Sequence, residues 1–338
     1  MSTLTTLNDF RKLLAELPGP SLTAENAVRT REPQLTKPPG SLGRLEELSL
    51  WMAAWQDNTS PKIDTIEAHV FAGNHGITAQ GVSAYPPEVT QQMVANFENG
   101  GAAINQLCKT FDVKLQVHAL DLDTPTADFS VQPAMTETDC VKALRFGMDQ
   151  MGESVDILCL GEMGIGNTTV SAAICHALFG ETAAFWTGPG TGVEGDVLAH
   201  KAEVIAASVL FHKPHINDGL DVLCCLGGRE LAAITGAIIA ARINRVPVLL
   251  DGYVATAAAA ILNGFNGAAL DHCQIAHTSA EPGHIKLAEA LQQKPLLDFG
   301  MRLGEASGAV LAVGLLKAAA NCHNGMATFA EAGVTDKD

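Results

Sequence analysis

Apolar and polar positions along the chain repeat in one pattern: a short aliphatic or β-branched run, usually a turn bearing glycine, then a longer alanine-rich segment. The runs are Ile66 to Ala72, Val113 to Leu120, Val155 to Leu160, Asp221 to Leu226, Val246 to Leu250 and Gln274 to Ala276. Stretches such as VDILCL and VPVLL show almost no polar alternation, as expected of a parallel sheet covered by helices on both faces. Between them, helices are expected over Thr168 to Leu178, Val197 to Phe211, Glu230 to Ile243, Val254 to Leu262 and Ser307 to Ala320. The alternation predicts an α/β fold, a three-layer α/β/α sandwich with a mainly parallel, Rossmann-like sheet.

The N-terminal segment differs. Pro18, Pro20, Pro33, Pro38 and Pro39 interrupt polar stretches before a helix from Leu42 to about Trp55. Residues 1–59 are expected to join 301–338 in a smaller helical domain built from both chain ends, beside an α/β domain over 60–300. Trp51 and Trp55 offer apolar surface for a subunit interface.

Composition narrows the function classes. The 338 residues are 47% apolar and 17% charged, too apolar for a disordered chain. The net charge of −16, with no Lys/Arg run, argues against nucleic acid as a partner. The apolar stretches fall short of the ~20 residues that cross a bilayer, and Met1 to Arg11 has no signal core, so a soluble, cytoplasmic protein without membrane partners is expected. Eight cysteines with no CxxC pair, several in apolar runs, read as buried reduced thiols.

In open parallel sheets, ligands sit beyond the carboxyl ends of the strands. The loops there are rich in glycine: Gly161 to Thr169, Gly188 to Gly192, Gly227-Gly228, Asp251-Gly252 and Ser279 to Gly283. Free amides at the helix start after Gly166, with Asn167 or Thr168 as its cap, suit an anion. A tight packing turn explains that one loop equally well; five such loops on one edge suggest a cleft lined by backbone. Neither a Walker loop nor a dinucleotide fingerprint is present. The histidine spacings match no zinc motif, so no metal is expected, although His75 in Gly73-Asn74-His75-Gly76 would point at the cleft. With no GxSxG elbow and no activated thiol, acid/base chemistry remains, carried by Glu162, Asp251 or Glu305. Beside Met301 and Leu303, Glu305 would be a desolvated base; the competing reading makes it a first-turn residue favoured by the helix dipole.

Five blocks in order, Thr36 to Gly43, Ala72 to Gly76, Gly81 to Pro86, Gly161 to Thr169 and Arg302 to Gly308, resemble the nicotinate-nucleotide:dimethylbenzimidazole phosphoribosyltransferase family. The resemblance covers the chain from about Leu35 to Phe329. It implies transfer of the 5-phosphoribosyl group from nicotinate mononucleotide to 5,6-dimethylbenzimidazole in cobalamin nucleotide-loop assembly. It also implies no metal or organic cofactor, and a homodimer whose sites borrow residues from the neighbour. By match to the family motif, Glu305 resembles the general base. Ser83, Gln91, Met163 and Leu303 fall where the family lines its base pocket. Gly164, Gly166, Gly190, Gly252 and Ser279 look like the cradle of phosphate and ribose, with Asn167 in the same loop. Glu162 and Lys201 match polar positions of the family site, although by spacing alone Lys201 is equally a solvated helix residue. Residues 60–300 would then be the nucleotide- and base-binding domain. Two positions depart from the family pattern: Asn74 stands where an aspartate is associated with it, and Met163 where a branched aliphatic residue also occurs, which would widen the accepted bases to purines or phenolic compounds. The competing classes are a nucleotide sensor without catalysis and, disfavoured by the glycine spacing, a nicotinamide-dependent oxidoreductase.

Overall fold

The computed structural model describes residues 4–335. Five strands form the sheet: β1 (Ile66–Ala72), β2 (Lys114–Ala119), β3 (Ile157–Met163), β4 (Val248–Leu250) and β5 (Cys273–Ile275). All pairings are parallel, in the order β2-β1-β3-β4-β5. The chain therefore leaves β1 in one direction for β2 and crosses to the other side for β3, and ligands gather over such a reversal.

Helices cover both faces, each with its own core. On one side Phe71, Leu158, Leu160 and Leu250 meet the helices Glu137–Asp149, Asn167–Phe179, Arg229–Ile243 and Tyr253–Ala260. On the other, Val70, Ile157, Cys159 and Leu249 meet the helices Arg44–Gln56, Ala103–Phe111 and Ser307–Gly325. Glycine permits the closest helix approach: Gly236 of one long helix packs against the Leu144 backbone of another, with no room for a Cβ. The chain ends meet on the second face, where Arg44–Gln56 packs on Ser307–Gly325 and Leu35 bridges to Thr328. The helix Leu7–Ala15 instead buries Leu7, Phe10 and Leu14 in the first core, and Arg11 pairs with Asp218 and Asp221.

Two expectations are corrected. Asp221 to Leu226 is no strand; it lies in the helix Gly219–Leu226, whose start is capped by Asp218 accepting from the Asp221 N–H at 3.1 Å. An apolar run this short satisfies a buried helix as well as a strand, and the cap decides. Gly227 and Gly228 accordingly join two helices and do not leave the sheet. Trp51 and Trp55, expected to offer apolar surface, are buried within the chain and leave almost none. Trp51 Nε1 donates to the Asp271 carbonyl at 2.9 Å, and the Arg242 guanidinium lies 4.1 Å over the Trp55 ring. None of the helices among the described residues is long and apolar enough to cross a membrane.

Candidate active site

A cavity of about 460 Å³ opens over the carboxyl ends of β3, β4 and β5. Its walls include Glu162, Met163, Gly164 and Asn167 from the end of β3, Gly252 after β4, and Ser279 after β5. Gly190 and Leu303 close it from two further loops. Residues not singled out from sequence also line it, among them Tyr85, Tyr253, His277, Glu281 and Arg302. Tyr85 and Arg302 fall inside blocks already noted, and Glu281 inside a noted glycine loop; nothing in their spacing marks their direction.

The glycine loop after β3 works differently from the expectation. Its helix cap is Gly166 itself, at φ +95°, and not Asn167 or Thr168. Freed from capping, the Asn167 amide donates to Glu162 and the Thr168 hydroxyl accepts from Lys201 Nζ at 2.8 Å. Gly164 is glycine because Gly73 O, His75 and Glu230 press on it: a Cβ would stand 2.6 Å from that oxygen. His75 does not reach the cavity. It is buried beneath the loop, with Nε2 2.7 Å from Glu230 Oε1. Asn74 donates to the Leu122 carbonyl at 3.0 Å, a role an ionised aspartate could not fill. Ser83 and Gln91 do not line the cavity, although Tyr85 between them does, and Thr90 ties their segment to the loop by accepting the Ile165 N–H at 3.1 Å.

Glu305 stands just behind the lining residue Gly304, 4% exposed, with its N–H donating to the Glu162 carbonyl at 3.2 Å. It is not a first-turn residue. Glu305 and Ala306, at φ +64° and +61°, form a left-handed kink before the helix starts at Ser307. Two consecutive non-glycine residues in this region cost on the order of 1–3 kcal/mol each, a strain that the surrounding structure must hold. Asp251 holds it: Oδ1 accepts the Gly308 N–H at 2.7 Å and the Ala309 N–H at 3.1 Å. Gly161 of β3 lets the Ala306 backbone come close enough to exclude any Cβ.

Acids therefore crowd one end of the cavity. Burial, then the Asp251 charge, pushes the Glu305 carboxyl up to about 7. Burial raises Glu162 well above the ordinary range, with Asp251, Glu230 and Glu305 adding to it and Asn167 opposing. His277 lies 3.4 Å from Asp251; burial works against its charged form, but that carboxylate holds it above its ordinary value. The other end is cationic. Lys201 is 1% exposed behind Gly190, not solvated, and burial lowers its ammonium to about 8 against the pull of Glu281. Arg302 reaches the same loop, donating to the Gly190 carbonyl at 3.0 Å. Gly166 packs against Thr78 beneath the loop.

The cavity thus sets backbone amides, Arg302, the buried Lys201 and the acid Glu281 at one end against Glu162 and Glu305, both raised by burial, at the other, the layout of a group-transfer enzyme for a phosphorylated substrate. A family model described as phosphoribosyltransferase (DBI_PRT) matches residues 17–334. Proteins named nicotinate-nucleotide–dimethylbenzimidazole phosphoribosyltransferase match almost end to end. The one from Rhizobium rhizogenes is 56% identical over 98% of this chain and 97% of its own. That from Agrobacterium fabrum is 57% identical over 97% of this chain and 95% of its own. A crystal structure of CobT from Thermus thermophilus superposes with a TM-score of 0.87 at 39% identity, over 93% of this chain and all of that one. The chain belongs to the nicotinate-nucleotide–dimethylbenzimidazole phosphoribosyltransferase family.

Proposed function

We propose that this enzyme transfers the 5-phosphoribosyl group from nicotinate mononucleotide to 5,6-dimethylbenzimidazole, giving α-ribazole 5′-phosphate and nicotinate for the lower nucleotide loop of cobalamin. The observation that carries the reading is the Glu305 carboxylate, buried just behind the cavity-lining Gly304, where burial pushes it up to about 7. Nicotinate departs from a positively charged pyridinium, so its leaving neutralises that ring nitrogen and needs no acid. The attacking benzimidazole must lose its N–H proton, and a base matched to neutral pH takes it most effectively. Glu305 takes that proton as the ring nitrogen bonds to the ribosyl carbon and the bond to nicotinate breaks. Met163, Leu303 and Tyr85, together with Ser83 and Gln91, take the heterocycle. Gly164, Gly166, Gly190, Gly252, Ser279 and Asn167 hold ribose and phosphate, supported by Lys201 and Arg302. The acidic Glu162, held by Asn167, keeps its proton beside Glu305 and so spares the base a second like charge.

The same reading takes the enzyme as a cytoplasmic homodimer, supported by exposed Leu210 and Phe211 on the helix Gly195–His212. It divides the chain into 60–300 and a layer from both ends, 1–59 with 301–338, from which the helix Leu7–Ala15 departs. Incubating the protein with both substrates yields a new nucleotide and equimolar nicotinate by chromatography. Binding of the mononucleotide without any product after long incubation would favour a sensor instead.

A further inference from the structure

The loop Gly188–Gly192 is gripped by three charged side chains. Lys201 Nζ donates to the Gly188 carbonyl at 3.0 Å, and Arg302 Nη1 donates to the Gly190 carbonyl at 3.0 Å. The third is acidic: the Gly190 N–H donates to Glu281 Oε1 at 2.9 Å. Glu281 is 4% exposed and lines the cavity, and its Oε2 has no hydrogen-bond partner among the described residues. Gly190 sits at φ +55°, and a Cβ there would stand 3.3 Å from Lys201 Nζ, so this turn brings bare backbone up to the cation.

A main-chain amide at a glycine turn, with a lysine and an arginine beside it, is a seat for an anionic oxygen. Here the protein's own carboxylate occupies it. The groups facing that carboxylate are Lys201 from the helix Gly195–His212, Arg302 from the loop before Glu305, and Tyr253, whose hydroxyl donates instead to the Trp186 carbonyl at 3.0 Å. Burial pushes the Glu281 carboxyl above its ordinary value, opposed by Lys201, the Gly190 N–H and Arg302. In its charged form Glu281 is the countercharge of the cationic end, and a phosphate arriving there meets a like charge already on the best donor.

We propose that Glu281 is an internal stand-in for the substrate phosphate: it holds the Gly190 amide and balances Lys201 and Arg302 in the free enzyme, and the phosphate displaces it. The proposal rests on reading the cavity as the nucleotide site. It makes Glu281 a residue that sets nucleotide affinity, acting against binding while keeping the loop ordered. Glu281→Gln keeps an oxygen to accept the amide and loses the charge, which separates the two roles.

Calorimetry at pH 6.5, where Lys201 stays charged, compares nicotinate mononucleotide with the riboside that lacks the phosphate, in wild type and Glu281→Gln. The expected result is a Kd for the mononucleotide lowered about tenfold in the variant, as removal of one nearby like charge implies. The riboside's Kd stays the same. An unchanged or weaker mononucleotide Kd in a variant with native unfolding temperature overturns the proposal, as does an equal gain for the riboside. Wild-type enzyme that binds no mononucleotide removes the functional reading as well, and so is told apart from failure of the proposal alone. Should the variant not fold, the Gly190 amide of wild type is followed by NMR while inorganic phosphate is added. A shift saturating with phosphate supports exchange of acceptors, and a stationary resonance contradicts it.

Discussion

Two networks of buried acids and histidines sit on the same sheet and behave in opposite ways. At the β1/β2 edge, Glu67 accepts from Lys114 Nζ at 2.8 Å and from the Gly152 N–H at 3.2 Å, with His69 Nε2 3.1 Å away. His69 foremost, then Lys114 and Gly152, overcome burial and hold its carboxyl at about 2. At the carboxyl edge Glu305 is equally buried, but no hydrogen bond to its carboxylate is found among the described residues, and its nearest charge of note is another acid. Burial is common to both. What distinguishes a base from a structural anion is the number of donors the fold supplies.

The largest expected effect follows from this contrast. Glu305→Gln lowers turnover by about a thousandfold while nucleotide binding persists, the loss usual for removing a positioned base. In wild type, kcat rises with pH through about 7 as the carboxyl gives up its proton. Stability runs the other way. A carboxyl whose folded value is raised contributes stability that is fully present below 4.5, its ordinary value, and is lost as pH rises through about 7. Glu305→Gln is therefore more stable than wild type at pH 8, by about 1–2 kcal/mol once solvent screening is counted. A less stable variant, measured by urea unfolding, would make Glu305 a structural anion like Glu67.

Glu67→Gln sharpens the comparison from the other edge. A lowered carboxyl contributes stability that is present above 4.5 and lost as pH falls toward about 2. At pH 7 the glutamine forfeits it, costing about 1–2 kcal/mol after screening, whereas turnover stays within about twofold. The two isosteric changes thus move stability in opposite directions and activity by very different amounts. A large loss of kcat in Glu67→Gln would mean that the two networks are coupled through β1.

How far the sequence reveals this depends on what each residue owes to its neighbours along the chain. Strands such as β3 and β4 are legible because buried parallel strands are continuous apolar runs ended by glycine turns, a local signal, whereas β2, KLQVHA at the sheet edge, alternates and is only half-buried. The run Asp221 to Leu226 carries the same signal and is a helix, because a cap three residues earlier outweighs it. Glu305 is legible as a candidate from its block, but its environment is not, since Asp251 and Gly161 reach it from other strands. Glu281 reads locally as an acid at a helix start; its bond to Gly190, 91 residues away, is purely tertiary. Lys201 likewise lies on an Ala-rich helix whose pattern gives no hint that its amine is 1% exposed.

The smallest effect tests whether the β1/β2 network is balanced all the way through. His118 stacks on Phe71 with ring centroids 4.8 Å apart and meets Phe146 edge-on at 5.8 Å. Burial, then the neighbouring His69, lowers its imidazole to about 4, so the ring is neutral at pH 7. Its Nε2 has no hydrogen-bond partner among the described residues, and an apolar ring of similar shape loses little there. His118→Phe is expected to change stability at pH 7 by no more than about 0.5 kcal/mol. The difference emerges on acidification. A base whose folded value is depressed contributes stability that is present above 6.5 and lost as pH falls toward about 4, because the unfolded ring gains its proton first. At pH 5 the phenylalanine variant therefore exceeds wild type by about 1 kcal/mol, the partly exposed position reducing the full linkage value. Parallel stability curves for the two proteins between pH 7 and 5 would show that His118 is charged in the fold, and that the Glu67 network has a donor to spare.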